Sequence, residues 1–190
     1  AYIYLRDIRS RELWSATYLP TAKTPDDYRV EFRPDKATYH RRDGHIATRL
    51  EIAVSAEEDV EVRRVTVTNH GPRVSEIDVT SYVEIALATQ VDDLAHPAFA
   101  RLFLETEYLP DASALLCHRR LRDSREVSVW AMHVISLEGR PQSPVEWETD
   151  RARFIGRGRT PEIPAAMDGH ALGGTTGVTL DPIFSLRQRV

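Results

Sequence analysis

Period-two alternation of apolar and polar residues, broken at short intervals by Gly, Pro, Asn and Asp, constrains this chain more than any other feature. Ile46, Leu50, Ile52 and Val54 share one parity; Val60 and Val62 follow, then Val65 and Val67. Ile77, Val79, Val83, Ile85 and Leu87 line one face of a further segment. Successive side chains on a strand point to opposite faces, so this pattern reads as strands with one buried face. The parity change across Arg63-Arg64 predicts a β-bulge or a strand that changes face. Asn69-His70-Gly71-Pro72 reads as a turn, since Gly tolerates positive φ and Pro removes a ladder donor. Residues 46–87 are therefore expected to form three antiparallel strands joined by short turns.

Shorter strands are expected at 1–6, 12–19, 28–33 and 36–42, and Asp43-Gly44 is a hairpin signal. Residues 127–137 carry apolar side chains on both parities, including Trp130, Met132 and Val134. That predicts a central strand covered on both faces, with Trp130 in the core. Helix is scarce: residues 95–102 allow one or two turns, with Pro97 near the first helical position. From Gly139 to Asp181 the prolines and glycines predict long loops. A loop stretch of that length is functional or packs against something else. The fold expected is all-β, a large antiparallel β-sandwich with a minor helix and a loop-rich C-terminal end. Residues 1–190 are read as a single domain.

Composition fits this reading. The 190 residues are 42% hydrophobic and 28% charged, enough to bury a core. A net charge of −4 argues against a nucleic-acid partner, whose binding would rest on neutralised phosphates. No run is long and apolar enough for a membrane helix, and no leader pattern opens the chain, so direct membrane insertion is not expected. The single cysteine, Cys117, permits a reducing compartment. Ala1 leads straight into Tyr2-Ile3-Tyr4-Leu5, a strand pattern, and the chain is expected to be a piece of something larger.

Chemistry-bearing motifs are few. The seven histidines show no metal-ligand spacing, and no metal or cofactor is expected. There is no GxSxG elbow, and Cys117 sits in an apolar strand where a thiol packs as a small hydrophobe. Carboxylate groups such as Asp26-Asp27, Glu57-Glu58-Asp59 and Glu146 with Glu148 read mostly as solvated turns. Arg157 and Arg159, in Gly156-Arg157-Gly158-Arg159-Thr160, can converge on an anion or pair with nearby carboxylates on the surface. Trp14 and Trp147 have polar neighbours and are candidate flat surfaces for a sugar ring or a partner domain.

Tyr2-Ile3-Tyr4-Leu5-Arg6-Asp7, then Leu13-Trp14-Ser15 and Tyr18-Leu19-Pro20, resembles the opening of the amino-terminal sandwich of glycoside hydrolase family 94, formerly glycosyltransferase family 36. Three further segments resemble its cyclic β-1,2-glucan synthase branch: residues 59–69, His96-Pro97-Ala98-Phe99, and residues 148–160. Ala16, where the family often has Pro, is a departure, as is Arg11 without a Gly before Trp14. The resemblance implies a galactose-mutarotase-like supersandwich preceding a helical barrel that carries the catalytic acid. Inorganic phosphate is then the co-substrate that attacks the anomeric carbon with inversion. This chain would be a non-catalytic carbohydrate-handling or assembly part, inactive alone. Its implied partners are a β-glucan oligosaccharide, the helical barrel and a second subunit. It would be a soluble, cytoplasmic part of a bacterial inner-membrane enzyme. Arg6 with Asp7, and Asp150 with Arg151, become candidates for contacts to the barrel or the second subunit. An independent carbohydrate-binding module, a pure dimerisation module and a mutarotase-like enzyme are the competing readings.

Overall fold

The computed structural model describes residues 1–121 and 126–190. Among them are twelve strands: β1 Tyr2–Asp7, β2 Leu13–Ser15, β3 Asp27–Phe32, β4 Ala37–Asp43, β5 Ile46–Val54, β6 Glu61–Asn69, β7 Ile77–Glu84, β8 Leu104–Leu109, β9 Ala114–Arg119, β10 Trp130–Val134, β11 Glu146–Asp150 and β12 Pro182–Arg189. Three short helices, α1 Gln90–Ala95, α2 Pro97–Arg101 and α3 Arg151–Ile155, complete the main elements. The strands form three antiparallel sheets in the orders β11-β12-β7-β1-β2, β3-β4-β5-β6 and β10-β9-β8. The all-β, antiparallel expectation is met.

The five-stranded sheet is the middle layer. On one face, Ile3, Leu5, Trp14 and Ile77 pack against Ile46 and Leu50 of the four-stranded sheet. The same face, further along, packs Phe184 and Leu186 against Leu104, Leu115 and Cys117 of the three-stranded sheet. On its other face Tyr4, Tyr82 and Ile183 meet Phe154, Ile155 and Met167 from the C-terminal loop region. The stretch from Gly139 to Asp181, expected as loop, also contains β11 and α3, and the rest packs onto the middle sheet. Strand β12 lies between β11 and β7, and all but its last residue is buried.

Three local expectations are corrected. Residues 130–134 form an edge strand, not a central one, and alternate exposed and half-buried residues. No bulge separates Arg63 from Arg64: β5 and β6 pair without a shift from Ile46↔Asn69 to Val54↔Glu61. Arg63 takes an inward place beside Val65 and Val67, while Val62 stays exposed. Strand β7 also leaves β6 altogether and pairs with β1 and β12. The Asp43-Gly44 hairpin is present, with Gly44 at φ +58°, where a residue without Cβ is unstrained.

Candidate functional site

The loop-covered face of the middle sheet carries a ladder of charge. Arg6, Asp78 and Arg189 stand directly opposite one another on β1, β7 and β12. Arg6 Nη2 donates to Asp78 Oδ2 at 2.9 Å, and Arg189 Nε donates to Asp78 Oδ1 at 2.8 Å. Burial works against the Asp78 charge, but the two guanidinium donors more than reverse this and hold its carboxyl below the usual range. One row along, Arg187 reaches Thr80 Oγ1 at 3.0 Å and Glu146 Oε2 at 3.1 Å. Its remaining donors go to the carbonyls of His170, at 2.9 Å, and Ala166. Tyr4 donates to the Pro161 carbonyl at 2.6 Å, and Leu172 N to Glu146 Oε2 at 3.0 Å. Tyr4, Arg187 and Glu146 thus bind the loop to the sheet, while the Asp78 ladder joins β1, β7 and β12.

The candidate residues named from the sequence distribute as follows. Arg6 is buried in that ladder, and Asp7 accepts from Ser10 N at 2.6 Å to close the turn after β1, so the two do not form one surface pair. Asp150 caps α3 through Ala152 N at 2.8 Å. Arg151 sits at the end of the middle sheet in a cluster with Tyr82, Glu84, Asp181 and Arg101. Its Nε donates to Tyr82 Oη at 3.0 Å and to Glu84 Oε1 at 3.3 Å, while Arg101 Nη1 meets Asp181 Oδ1 at 2.7 Å. Partial burial raises the Glu84 carboxyl, and hydrogen bonds from Tyr82 and Arg151 outweigh it, leaving Glu84 below its ordinary value. Arg159 pairs with Asp168 at 2.7 Å, and Arg157 is exposed. The two loop arginines thus face different surroundings.

The tryptophans trade the places the sequence suggested. Trp14 is 1% exposed in the core, with its Nε1 3.5 Å from Thr48 Oγ1, so it offers no free face. Trp147 is half-buried and stacked on Tyr108, with ring centroids 3.8 Å apart. Trp130, expected in the core, is 55% exposed. It lies directly opposite His118 across the β9–β10 pair and stacks on that imidazole at 4.7 Å. Its Nε1 donates to Ser128 Oγ at 2.8 Å, which fixes the ring. His118 in turn opposes Glu105 of β8, with Nε2 and Oε2 3.9 Å apart, and Leu116 opposes Glu107. A groove of about 280 Å³ runs among Glu105, Glu107, Leu116, His118, Thr176 and Gly177. Its far wall is set by Gly177, whose backbone bridges Thr106 in both directions at 2.7 and 3.0 Å. The signal for this face was the shared parity of Trp130 and Met132, but only the strand register shows which side it faces.

Other reactive side chains are built into packing. Burial pushes the Cys117 thiol up to about 12, so it stays protonated. Ser81 Oγ and His133 Nε2 are 2.8 Å apart, yet Ser81 also accepts from Leu186 N at 3.0 Å and contacts Leu186 O at 3.2 Å. His133 lies against Phe184, and burial lowers its pKa to about 4, with Arg63 adding to the effect. This pair ties β7, β10 and β12 together. Among the described residues, no three His, Cys, Asp or Glu side chains gather as a metal site would. No helix of the described residues is long and apolar enough to cross a membrane.

Comparison with known proteins places this architecture. The chain is 37% identical over 190 residues, its whole length, to cyclic beta-(1,2)-glucan synthase NdvB of Rhizobium meliloti (strain 1021), of which it covers 7%. It is 25% identical over 166 residues, 87% of its length, to solabiose phosphorylase of Paenibacillus borealis, of which it covers 20%. It thus spans a small part of each relative. A family model described as the glycosyl hydrolase 94 supersandwich domain matches residues 1–190. The sheets, their layering and this match together establish that the chain belongs to the glycosyl hydrolase 94 supersandwich-domain family.

Proposed function

We propose that this chain is a non-catalytic, glucan-handling and assembly domain of a cyclic β-1,2-glucan synthase or a related inverting glycoside phosphorylase. The observation that carries this reading is the 37% identity over all 190 residues with a segment of a glucan synthase. The internal chemistry agrees with a scaffold. The buried carboxylate of Asp78 is matched by two guanidinium groups, and the Ser81–His133 pair is tied to backbone. In this reading residues 1–190 act as one unit, phosphate is a co-substrate of the parent enzyme, and the general acid lies on a helical barrel. The half-exposed Arg101, Arg151, Glu84 and Asp181 cluster suits a contact with that barrel or with a second subunit. The exposed Val91, Leu94 and Phe99 beside it would add apolar contact area. In this reading the parent enzyme sits at a bacterial inner membrane, with this part on the cytoplasmic side.

The test is an assay of the 190-residue chain with inorganic phosphate and β-1,2-glucooligosaccharides, following sugar phosphate release. No turnover above background is expected. Turnover that survives purification to homogeneity contradicts the reading.

A further inference from the structure

We propose that the groove on the outer face of the three-stranded sheet, with Trp130 beside it, binds a neutral oligosaccharide. A pyranose ring has one face of C–H groups and a rim of hydroxyls. It is best held by an aromatic surface next to hydrogen-bond acceptors, a few polar groups fixing orientation within an otherwise apolar pocket.

This face supplies those parts in register. Trp130 and His118 form a stacked aromatic pair with ring centroids 4.7 Å apart, His118 lining the groove and Trp130 on the far side of His118 from Glu105. One ring face of Trp130 rests on His118, and 55% of the residue is exposed. Glu105 and Glu107 stand on the adjoining strand, opposite His118 and Leu116. Carboxylates accept paired hydrogen bonds from neighbouring hydroxyls. Two of them at one groove also repel phosphate and other anions, so a neutral ligand fits and a sugar phosphate does not. A volume of about 280 Å³ suits one ring in the groove, against His118 and the exposed edge of the stack it forms with Trp130. The surface is also preset: Trp130 is pinned by Ser128 and His118, and the far wall by the Thr106–Gly177 bridge, so little ordering is lost on binding.

That the sugar is a β-1,2-glucan rests on the proposed function; that it is a neutral oligosaccharide rests on the groove. Calorimetric titration of the chain with linear β-1,2-glucooligosaccharides is expected to give saturable binding. Trp130→Ala should weaken it by about tenfold. Glu107→Gln should weaken it by a smaller factor, and Trp130→Phe should retain most of it. Arg157→Ala, on an exposed loop elsewhere, should change nothing. Circular dichroism checks that each variant is folded, and Glu107→Gln carries the test if Trp130→Ala is not. Absence of saturable binding to β-1,2-, β-1,4- and α-1,4-linked glucooligosaccharides overturns the site. Binding that is unchanged in both Trp130→Ala and Glu107→Gln overturns it as well. Binding of β-1,4- or α-1,4-linked probes alone, lost in Trp130→Ala, keeps the site and counts against the glucan-synthase reading.

Discussion

The two polar faces of this domain are built from similar residues and used in opposite ways. On the loop-covered face of the middle sheet, Arg6, Asp78, Arg187, Arg189 and Glu146 meet across four strands, and each finds a partner inside the fold. On the outer face of the three-stranded sheet, Glu105, Glu107 and Trp130 keep much of their surface in solvent, and among the described residues their one ion-pair contact is a 3.9 Å approach of Glu105 to His118. Charge and aromaticity alone do not mark a binding surface. What separates the faces is whether the chain returns to cover them. Residues 156–175 do so for the first face, and among the described residues no segment does so for the second.

The contrast breaks most readily at its buried members. Asp78→Ala strands two guanidinium groups, one of them buried, and should cost about 3–5 kcal/mol in a urea titration. Trp14→Ala removes a fully buried ring and should cost a similar amount, about 3–5 kcal/mol. A loss below about 1 kcal/mol in either would mean that the layers are not packed as described.

An intermediate effect comes from His133. Its pKa in the folded chain is about 4, below the ordinary 6.5, because burial disfavours the imidazolium. The unfolded chain therefore takes up the proton first as pH falls. The associated stability is complete above about pH 6.5 and is lost between there and about pH 4, by up to about 3 kcal/mol. Melting temperature against pH should fall through this window and flatten in His133→Gln. Asp78, held below its ordinary value, adds a loss only at lower pH, which separates the two groups.

The smallest effect is the most telling. Trp130→Ala should shift stability by no more than about 0.5 kcal/mol, as for other exposed positions. A shift close to that of Trp14→Ala would make Trp130 a core residue and remove the distinction between the faces.

Much of the fold was legible because turn chemistry is local. Asp43-Gly44 and Asn69-His70-Gly71-Pro72 end strands where the sequence says they end. The layering was less legible, since it depends on which sheet a strand joins. Strand β12 is buried on both faces, and its polar Ser185, Arg187 and Gln188 break the apolar alternation, so residues 182–189 carried no strand expectation. The tryptophans were misjudged for a related reason. On a strand, the residues beside Trp14 point to the opposite face, so the polarity of Ser15 says nothing about where the indole goes. Residues 127–137 carry apolar side chains on both parities, a pattern shared by a central strand and by an edge strand that keeps an apolar outer face. Of the candidate site, Arg6 and Arg151 were visible as residues, but their partners lie 72 and 69 positions away and emerge only from register.

Hydrogen–deuterium exchange of the chain with and without β-1,2-glucooligosaccharide tests most directly whether the uncovered face is the working one. Protection is predicted over 104–109, 114–119, 130–134 and 176–178, with residues 156–170 unchanged. Protection confined to 156–170, or none at any saturating concentration, would contradict the account.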